Sequence, residues 1–424
     1  MTSNPADLKL LVHPGDLLAA VKTKFGPTAS IINYEVELGT ETLQGFASLI
    51  LRVAAKVRVN DFENVDARFI VKRKPAYAAH AEMMGGLGDI GLRESKYFNE
   101  ILPILEEKAG QLPVVRALVS HKDAIVMEDL CESGFETVSK TMTDIGRGKA
   151  LTLPIARVVA RKLAKLHAAS LGRNWLETEA EMFESDPIFD GPQKEIFKGM
   201  VMNAFLNIII PIIDEFFGDV PILKKVVDFT NGPRYFETVA EVIKDKSFRQ
   251  NVVLHGDCWL NNFMFKIDPE TEKVIDMRFI DLQIVRFGSP AKDLLYFLYS
   301  SSSLEFREKY EREILKTYVE AFNAEANETP DLLQFEDLVQ DYEKSRIFGI
   351  FIAMGLRPVQ FLTLFAPPSG GGLDNDFLEQ VKDPSKWAEP AKKQFREDDI
   401  VKKEFTDLIH HSIDVLKQYI DVEE

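Results

Sequence analysis

The chain has 424 residues, 46% of them hydrophobic and 28% charged, and a formal net charge of −16. That length allows two or three domains and a substantial apolar core, and the composition is that of a globular protein, not a disordered one. The acidic balance and the lack of a long basic run argue against nucleic acid or an anionic membrane as a partner. Two cysteines, Cys131 and Cys258, are too few for a disulfide scaffold or a thiolate metal site. Met1 to Leu11 lacks the basic-then-apolar pattern of a secretory leader, and the run Ile208 to Ile213, with Pro211 inside it, is short for a bilayer. A soluble, cytoplasmic protein is the expectation.

In chain order, the first 35 residues mix short helical patterns with Pro and Gly and read as an N-terminal extension. Strand patterns begin near Tyr34 and recur at Ala47 to Val57 and Ala67 to Lys72, rich in Val, Ile and Phe. Gly85, Gly86, Gly88 and Gly91 form a link to a helix over Leu92 to Glu107, and Val114 to Leu118 and Ala124 to Met127 read as strands. Beyond Leu130 the chain turns helical. Thr152-Leu153-Pro154 opens a helix with Ile155, Val158, Val159, Leu163 and Leu166 at three- and four-residue intervals. Helical segments continue through Lys194 to Phe217 and Ile222 to Phe229. Strands return at Val252 to Leu254, Phe263 to Ile267 and Val274 to Ile280, and helices follow to the end. Pro367-Pro368 and Gly370-Gly371-Gly372 mark a loop.

The chemically informative stretch is Leu254-His255-Gly256-Asp257-Cys258-Trp259-Leu260-Asn261-Asn262, set between two strands, with Asp281 ending the later apolar run Val274 to Ile280. Two carboxylates and an amide are what nucleotide-dependent phosphoryl transfer needs. One carboxylate orients an attacking hydroxyl and takes its proton, while the amide oxygen and the other carboxylate hold Mg²⁺.

His-Gly-Asp, an Asn five residues beyond that Asp, a strand ending in Ile-Asp, then Gly288-Ser289-Pro290 and Asp293-Leu294 resemble the aminoglycoside/choline-kinase superfamily. With Val126-Met127-Glu128-Asp129-Leu130 and Lys165-Leu166-His167-Ala168, the chain resembles more closely the ecdysteroid kinase-like, or CHK kinase-like, family, with landmarks from about Val36 to Glu343. The resemblance implies a bilobal, protein-kinase-like α+β fold. A small antiparallel-sheet lobe with one main helix, residues 1–130, would bind nucleotide. A larger, mostly helical lobe, residues 131–424, would carry catalysis and the acceptor.

Carried over by residue, the resemblance makes Asp257 the catalytic base, Asn262 and Asp281 the Mg²⁺ ligands, and His255 a brace of the catalytic loop; on its own His255 reads as a satisfied core histidine. Asn261 is assigned to local turn backbone and Asp293 to anchoring the segment after Asp281. Lys72 would reach the ATP phosphates with Glu94 as its ion-pair partner, Glu100 being the rival. Glu128 and Leu130 would meet adenine through backbone groups; on side chains alone, Glu128-Asp129 reads as a solvated pair. The phosphate loop would include Gly45, Phe46 and Ser48. Here the chain departs from the family pattern, placing Leu43-Gln44-Gly45 where Gly-Asp-Asn is usual, while Gly39 and Gly45 still permit close backbone approach to phosphate.

The expected activity is therefore ATP- and Mg²⁺-dependent phosphorylation of an alcohol group on a small molecule, by resemblance an ecdysteroid or a related steroid or xenobiotic. Phe348, Phe351, Arg357 and Phe361 are candidates to line the acceptor pocket. The alternatives are a choline- or aminoglycoside-type kinase and a catalytically inactive kinase fold that binds a ligand. Protein kinase activity is disfavoured by the short segment from Asp281 to Asp293 and by the lack of a following Ala-Pro-Glu. Cys131 and Cys258 read as structural.

Overall fold

Alternation decides the first sheet. In Leu49–Asn60 the residues Leu51, Val53, Ala55 and Val57 point one way, and in Glu63–Arg73 so do Ala67, Phe69 and Val71; all seven are buried. The computed structural model describes residues 8–39, 48–60, 62–73, 90–139, 144–145, 150–191, 193–326, 332–365 and 383–420. Among these, β1 (Ser30–Leu38), β2 (Leu49–Asn60), β3 (Glu63–Arg73), β4 (Ala117–His121) and β5 (Ala124–Glu128) form an antiparallel sheet in the order β1-β2-β3-β5-β4. The glycines Gly85, Gly86 and Gly88 and the Pro367 to Gly372 loop lie outside the described residues.

The stretch expected to be an extension is part of this core. A helix, Pro14–Phe25, starts on a proline whose fixed φ suits the first turn, and it buries Leu17, Ala20 and Val21 in one cluster with Leu51, Val53, Phe69 and Val71. β1 then runs along β2, with Val36 beside Val53. The packing is hidden in the sequence because Pro14, Gly15, Gly26 and Pro27 punctuate two short elements whose apolar faces make sense only against the sheet.

The chain divides into two compact units, and the first is not continuous in sequence. It comprises residues 1–136 together with Phe263–Val285. In it β6 (Phe135–Glu136) pairs with the later strands, which with β7 (Val252–Leu254) are numbered in chain order as β8 (Phe263–Ile267) and β9 (Val274–Phe279), in the sheet order β6-β8-β9. Phe279 is tied to the segment before β4: its N–H donates to Pro113 O at 2.7 Å and its carbonyl accepts Val115 N–H at 2.9 Å.

The second unit, Thr137–Asn262 with Arg286–Glu424, is mostly helical. Its two-stranded ribbon pairs β7 with β10 (Arg286–Gly288). All eleven residues of the helix Ala291–Ser301 are buried, as expected of a helix enclosed on every side. Leu153–Ala169 begins as the sequence suggests, with Thr152 Oγ1 accepting the Ile155 N–H at 3.5 Å. The helix Pro233–Lys244 lies outside the segments expected to be helical, whereas Phe335–Lys344 and Arg346–Phe361 fall in the stretch expected to be helical to the end. The apolar stretch Phe197–Phe216 is, by length and composition alone, long enough to cross a membrane, and Phe205, Ile208, Ile209, Ile212 and Ile213 within it are buried in this unit.

Because Leu17 is wholly enclosed, Leu17→Ala should cost about 2–5 kcal/mol in urea unfolding. A loss under about 0.5 kcal/mol, the scale of a surface change, would mean that the helix is an appendage and not core.

Candidate active site

Each unit carries its own cluster of charged and polar groups. In the first, strand periodicity turns Lys72 to the face opposite Phe69 and Val71, in register with Ile50 on β2 and Ile125 on β5. Lys72 is only 7% exposed. Its ammonium lies 2.6 Å from Glu94 and 2.5 Å from Asp281. Glu94 belongs to the helix Ile90–Lys96, which continues through a π turn, Tyr97–Ile101, into Leu102–Ala109. Glu94 and not Glu100 is therefore the partner of Lys72.

The segment after β9 is clamped to that helix. Leu282 N–H donates to Glu94 Oε1 at 3.2 Å, and Arg93 Nε donates to Val285 O at 2.9 Å. Asp281 itself has φ +64, left-handed backbone that Asp tolerates better than most residues and that concentrates at functional sites. Burial alone would lower the Lys72 pKa, but Asp281 and Glu94 reverse this and hold it above the usual lysine range. Burial pushes the Glu94 carboxyl upward against the pull of Lys72, and the Asp281 charge adds to the rise. The three side chains differ in access: Asp281 is 26% exposed, Lys72 8% and Glu94 1%. Glu94 thus serves as an internal counterion, and Asp281 is the oxygen donor a ligand can reach.

The second cluster surrounds His255-Gly256-Asp257. Gly256 has φ +85, a conformation that a Cβ would strain. Asp293 holds this turn: its carboxylate accepts the N–H groups of His255 at 2.7 Å and Gly256 at 3.0 Å, and lies 3.1 Å from His167 Nε2. Asp293 is therefore an anchor, but of the loop before Asp257 and not of the segment after Asp281. Burial alone would raise its pKa; the His167 bond and nearby histidine charge, with the Gly256 N–H, bring it below the ordinary carboxylate value. His255 is buried and its Nδ1 accepts the Asp257 N–H at 3.3 Å, so it stiffens the loop.

Asn262 Nδ2 donates to Asp257 twice, to its backbone oxygen and to Oδ2, each at 2.9 Å. Both donor contacts lie on the nitrogen side of the amide, so the carbonyl oxygen is the Asn262 atom suited to a cation. Tyr296, unremarked in the sequence, donates its phenol to Asp257 Oδ1 at 2.5 Å. A signal was present: Tyr296 stands three residues after Asp293, on the same face of one helix. Cys258 is buried, and that burial, with the Asp293 charge, pushes its thiol well above the ordinary range, which rules out a ready thiolate.

The other sequence candidates fall as follows. Glu128 ends β5, and its N–H is committed to Arg116 O at 3.1 Å. Leu130 opens a short 3₁₀ turn, Leu130–Ser133. Asp129 is buried, caps that turn through Cys131 N–H at 3.0 Å and bonds Arg52 Nε at 2.9 Å, so it is not a solvated charge. Ser48 immediately precedes β2, and Gly39 N–H donates to Ile50 O at 2.9 Å; Gly45 and Phe46 lie outside the described residues. Phe348, Phe351, Arg357 and Phe361 all lie on Arg346–Phe361 and are buried. Phe351 packs with Phe189, Tyr235 and Phe236, and Arg357 pairs with Glu404 at 2.9 Å over the Phe361 ring. Phe348 reaches toward the Asp257 cluster, its ring 6.1 Å from that of Tyr296.

The donors present suit a hard cation held partly by a ligand's own oxygens. Asp281 in the first unit and Asn262 in the second each offer oxygen, and no group of three or more His, Cys, Asp or Glu side chains forms a protein-only cage among the described residues. Two buried polar atoms beside these donors, Gln283 Oε1 and Trp259 Nε1, have no hydrogen-bond partner among the described residues. Such orphans are rare in finished cores, and each fits a polar ligand beside the donor of its own unit.

The chain matches the ecdysteroid kinase-like family over residues 42–329. It belongs to that family. Its membership supports a small-molecule phosphotransferase, in keeping with the lysine–carboxylate and Asp-Asn clusters. Comparison with curated proteins finds no match. Among solved structures, the chain is similar to an ethanolamine kinase of Plasmodium vivax, at 14% identity over 93% of this chain and 86% of that one, with a TM-score of 0.42. It is similar also to a variant aminoglycoside 2'-phosphotransferase in complex with GDP, at 12% identity over 96% of this chain and 100% of that one, with a TM-score of 0.41.

Asp293 ties stability to pH. A carboxyl whose folded pKa is depressed stabilises the fold fully above its unfolded value, and that contribution fades as pH falls through the folded pKa. Asp293→Asn, which cannot titrate, should be about 3–5 kcal/mol less stable than the parent at pH 7 by denaturant unfolding. The gap should narrow below about pH 4. A gap that stays constant from pH 7 to pH 3 would contradict the ionised hub.

Proposed function

We propose that the chain transfers the γ-phosphoryl group of ATP, with Mg²⁺, to an alcohol group on a small, largely apolar molecule such as an ecdysteroid or a related steroid or xenobiotic. The observation that carries this reading is the triad in which buried Lys72 is shared by enclosed Glu94 and accessible Asp281. A lysine held charged and aimed by an internal counterion is suited to bind phosphate oxygens, and the open carboxylate beside it is suited to a metal.

In this reading Glu94 positions Lys72, and Lys72 binds the ATP phosphates. Asp281 and the carbonyl oxygen of Asn262 would hold Mg²⁺, which supplies positive charge against that gathering on the phosphoryl oxygens. Asp257 orients the acceptor hydroxyl and takes its proton. The acceptor oxygen forms a bond to the γ-phosphorus, the bond to the bridging oxygen breaks, and ADP leaves with the electron pair. Adenine would be met by backbone groups at Glu128 and Leu130, with the Glu128 carbonyl serving because its N–H is already used. Gly45, Phe46 and Ser48 would supply backbone to the phosphates. Nucleotide binding is thereby assigned to residues 1–130, and catalysis with acceptor binding to residues 131–424. The Phe348 and Tyr296 rings beside Asp257 are compatible with an acceptor that has an apolar body.

The test is Mg²⁺-ATP-dependent transfer, read by mass spectrometry, across ecdysteroids, plant phenolics, glycosides, choline and aminoglycosides. Asp257→Asn should bind nucleotide like the parent and lose about 10²–10⁴-fold in transfer rate, the usual contribution of a positioned base. Asp281→Asn should weaken Mg²⁺-dependent nucleotide binding. If Mg²⁺-ATP binds equally well to the Asp281 variant, the metal assignment is wrong, and a parent chain that makes no product and binds no nucleotide is a ligand-binding kinase relative instead.

A further inference from the structure

Both oxygens of Asp257 are engaged within the chain. Oδ2 takes an Asn262 N–H at 2.9 Å, and Oδ1 takes the Tyr296 phenol at 2.5 Å. Asn262 belongs to the machinery already described; Tyr296 does not. It is borne on the fully buried helix Ala291–Ser301 and backed by Phe348, so the hydroxyl is held by packing and not by a mobile loop. Burial first, and the Asp257 charge after it, push the phenol pKa well above the ordinary tyrosine value. At physiological pH the group is therefore a donor. An O–H donating to Oδ1 is also what an acceptor alcohol would present to a catalytic base.

A base poised beside ATP has a competitor for its lone pairs, which is water. Were water to reach Oδ1, Asp257 would accept its proton. The water oxygen would bond to the γ-phosphorus, the bridging P–O bond would break, and ADP would leave with the electron pair. The product would be inorganic phosphate, not a phosphate ester. We propose that Tyr296 guards Asp257 against this reaction, its hydroxyl occupying Oδ1 until the O–H of an acceptor takes its place. The inference rests on the phosphotransferase reading above and adds a positioning residue that sets selectivity for alcohol over water. An acceptor must bring both a hydroxyl to replace the phenol and enough apolar body to move the Tyr296 ring against Phe348. Water brings only the first.

Tyr296→Phe keeps the ring and deletes the hydroxyl. Two measurements decide the matter: ADP release from Mg²⁺-ATP with no acceptor present, and a high-resolution crystal structure of the nucleotide-free variant. Acceptor-free ADP release should rise about 10- to 100-fold, within what a positioned base contributes, and return to the parental level in Tyr296→Phe/Asp257→Asn. The crystal structure should show the fold intact and an ordered water within hydrogen-bond distance of Asp257 Oδ1. A variant that merely loosens the fold loses activity and gains no Asp257-dependent hydrolysis. A dry Oδ1, or unchanged ADP release from a chain whose parent does phosphorylate an acceptor, overturns the guard and leaves the kinase standing. A parent that binds no Mg²⁺-ATP removes the kinase reading and the guard together, and that result is distinguished by the binding measurement alone.

Discussion

A lysine ammonium withdrawn from water must bring its counterions with it, and much of the first unit follows from that requirement at Lys72. Isolated burial of such a charge costs several kcal/mol, recovered only by close and well-placed opposite charge. β3 supplies the problem, because a strand that points Phe69 and Val71 into one core necessarily points Lys72 to the other face. The solution comes from two places, the helix bearing Glu94 and the turn bearing Asp281, and these bind each other through Leu282 and Arg93. With two carboxylates and one ammonium, the cluster satisfies the lysine and still keeps an accessible anionic oxygen.

The second unit meets the inverse case. Asp293 is a buried carboxylate, answered by two backbone N–H groups and the His167 ring, while His167 in turn meets the Tyr318 hydroxyl at 2.9 Å. The turn so fixed is the one that carries Asp257, and Gly256 at its centre is where the chain needs left-handed backbone. The geometry around Asp257 is a by-product of satisfying one charge: the same helix that brings Asp293 to the turn brings Tyr296 to Asp257.

Most strands and the helix Leu153–Ala169 are legible because their apolar period repeats within a single element. The His-Gly-Asp…Asn spacing also reads directly, since the five-residue offset from Asp257 to Asn262 spans one tight connection that local bonds close. What sequence concealed was long-range. Nothing in 263–285 says that it returns to pair with β6 and to meet Lys72. Nor does Pro14–Phe25 announce that it covers a sheet. Asp293 stands near Asp281 in sequence, which points its anchoring role to the wrong segment; its bond to the His255 N–H belongs to the fold alone. Tyr296 is concealed for a similar reason: inside a helix buried on all sides, a tyrosine looks like core until its hydroxyl is followed to a partner.

The discontinuity of the first unit bears on how the chain is made. Lys72 and Asp281 are separated by 209 residues. On a ribosome, which delivers the chain from its N-terminus, the five-stranded sheet emerges long before β8, β9 and Asp281 do. For that interval Lys72 has Glu94 but not its second carboxylate, and the strand partners of β6 are still unmade. The intervening 126 residues, 137 to 262, belong to the other unit. Completion of the nascent N-terminal unit must therefore wait for a late segment, leaving its unpaired edge exposed to chaperones, proteases and neighbouring chains throughout that wait.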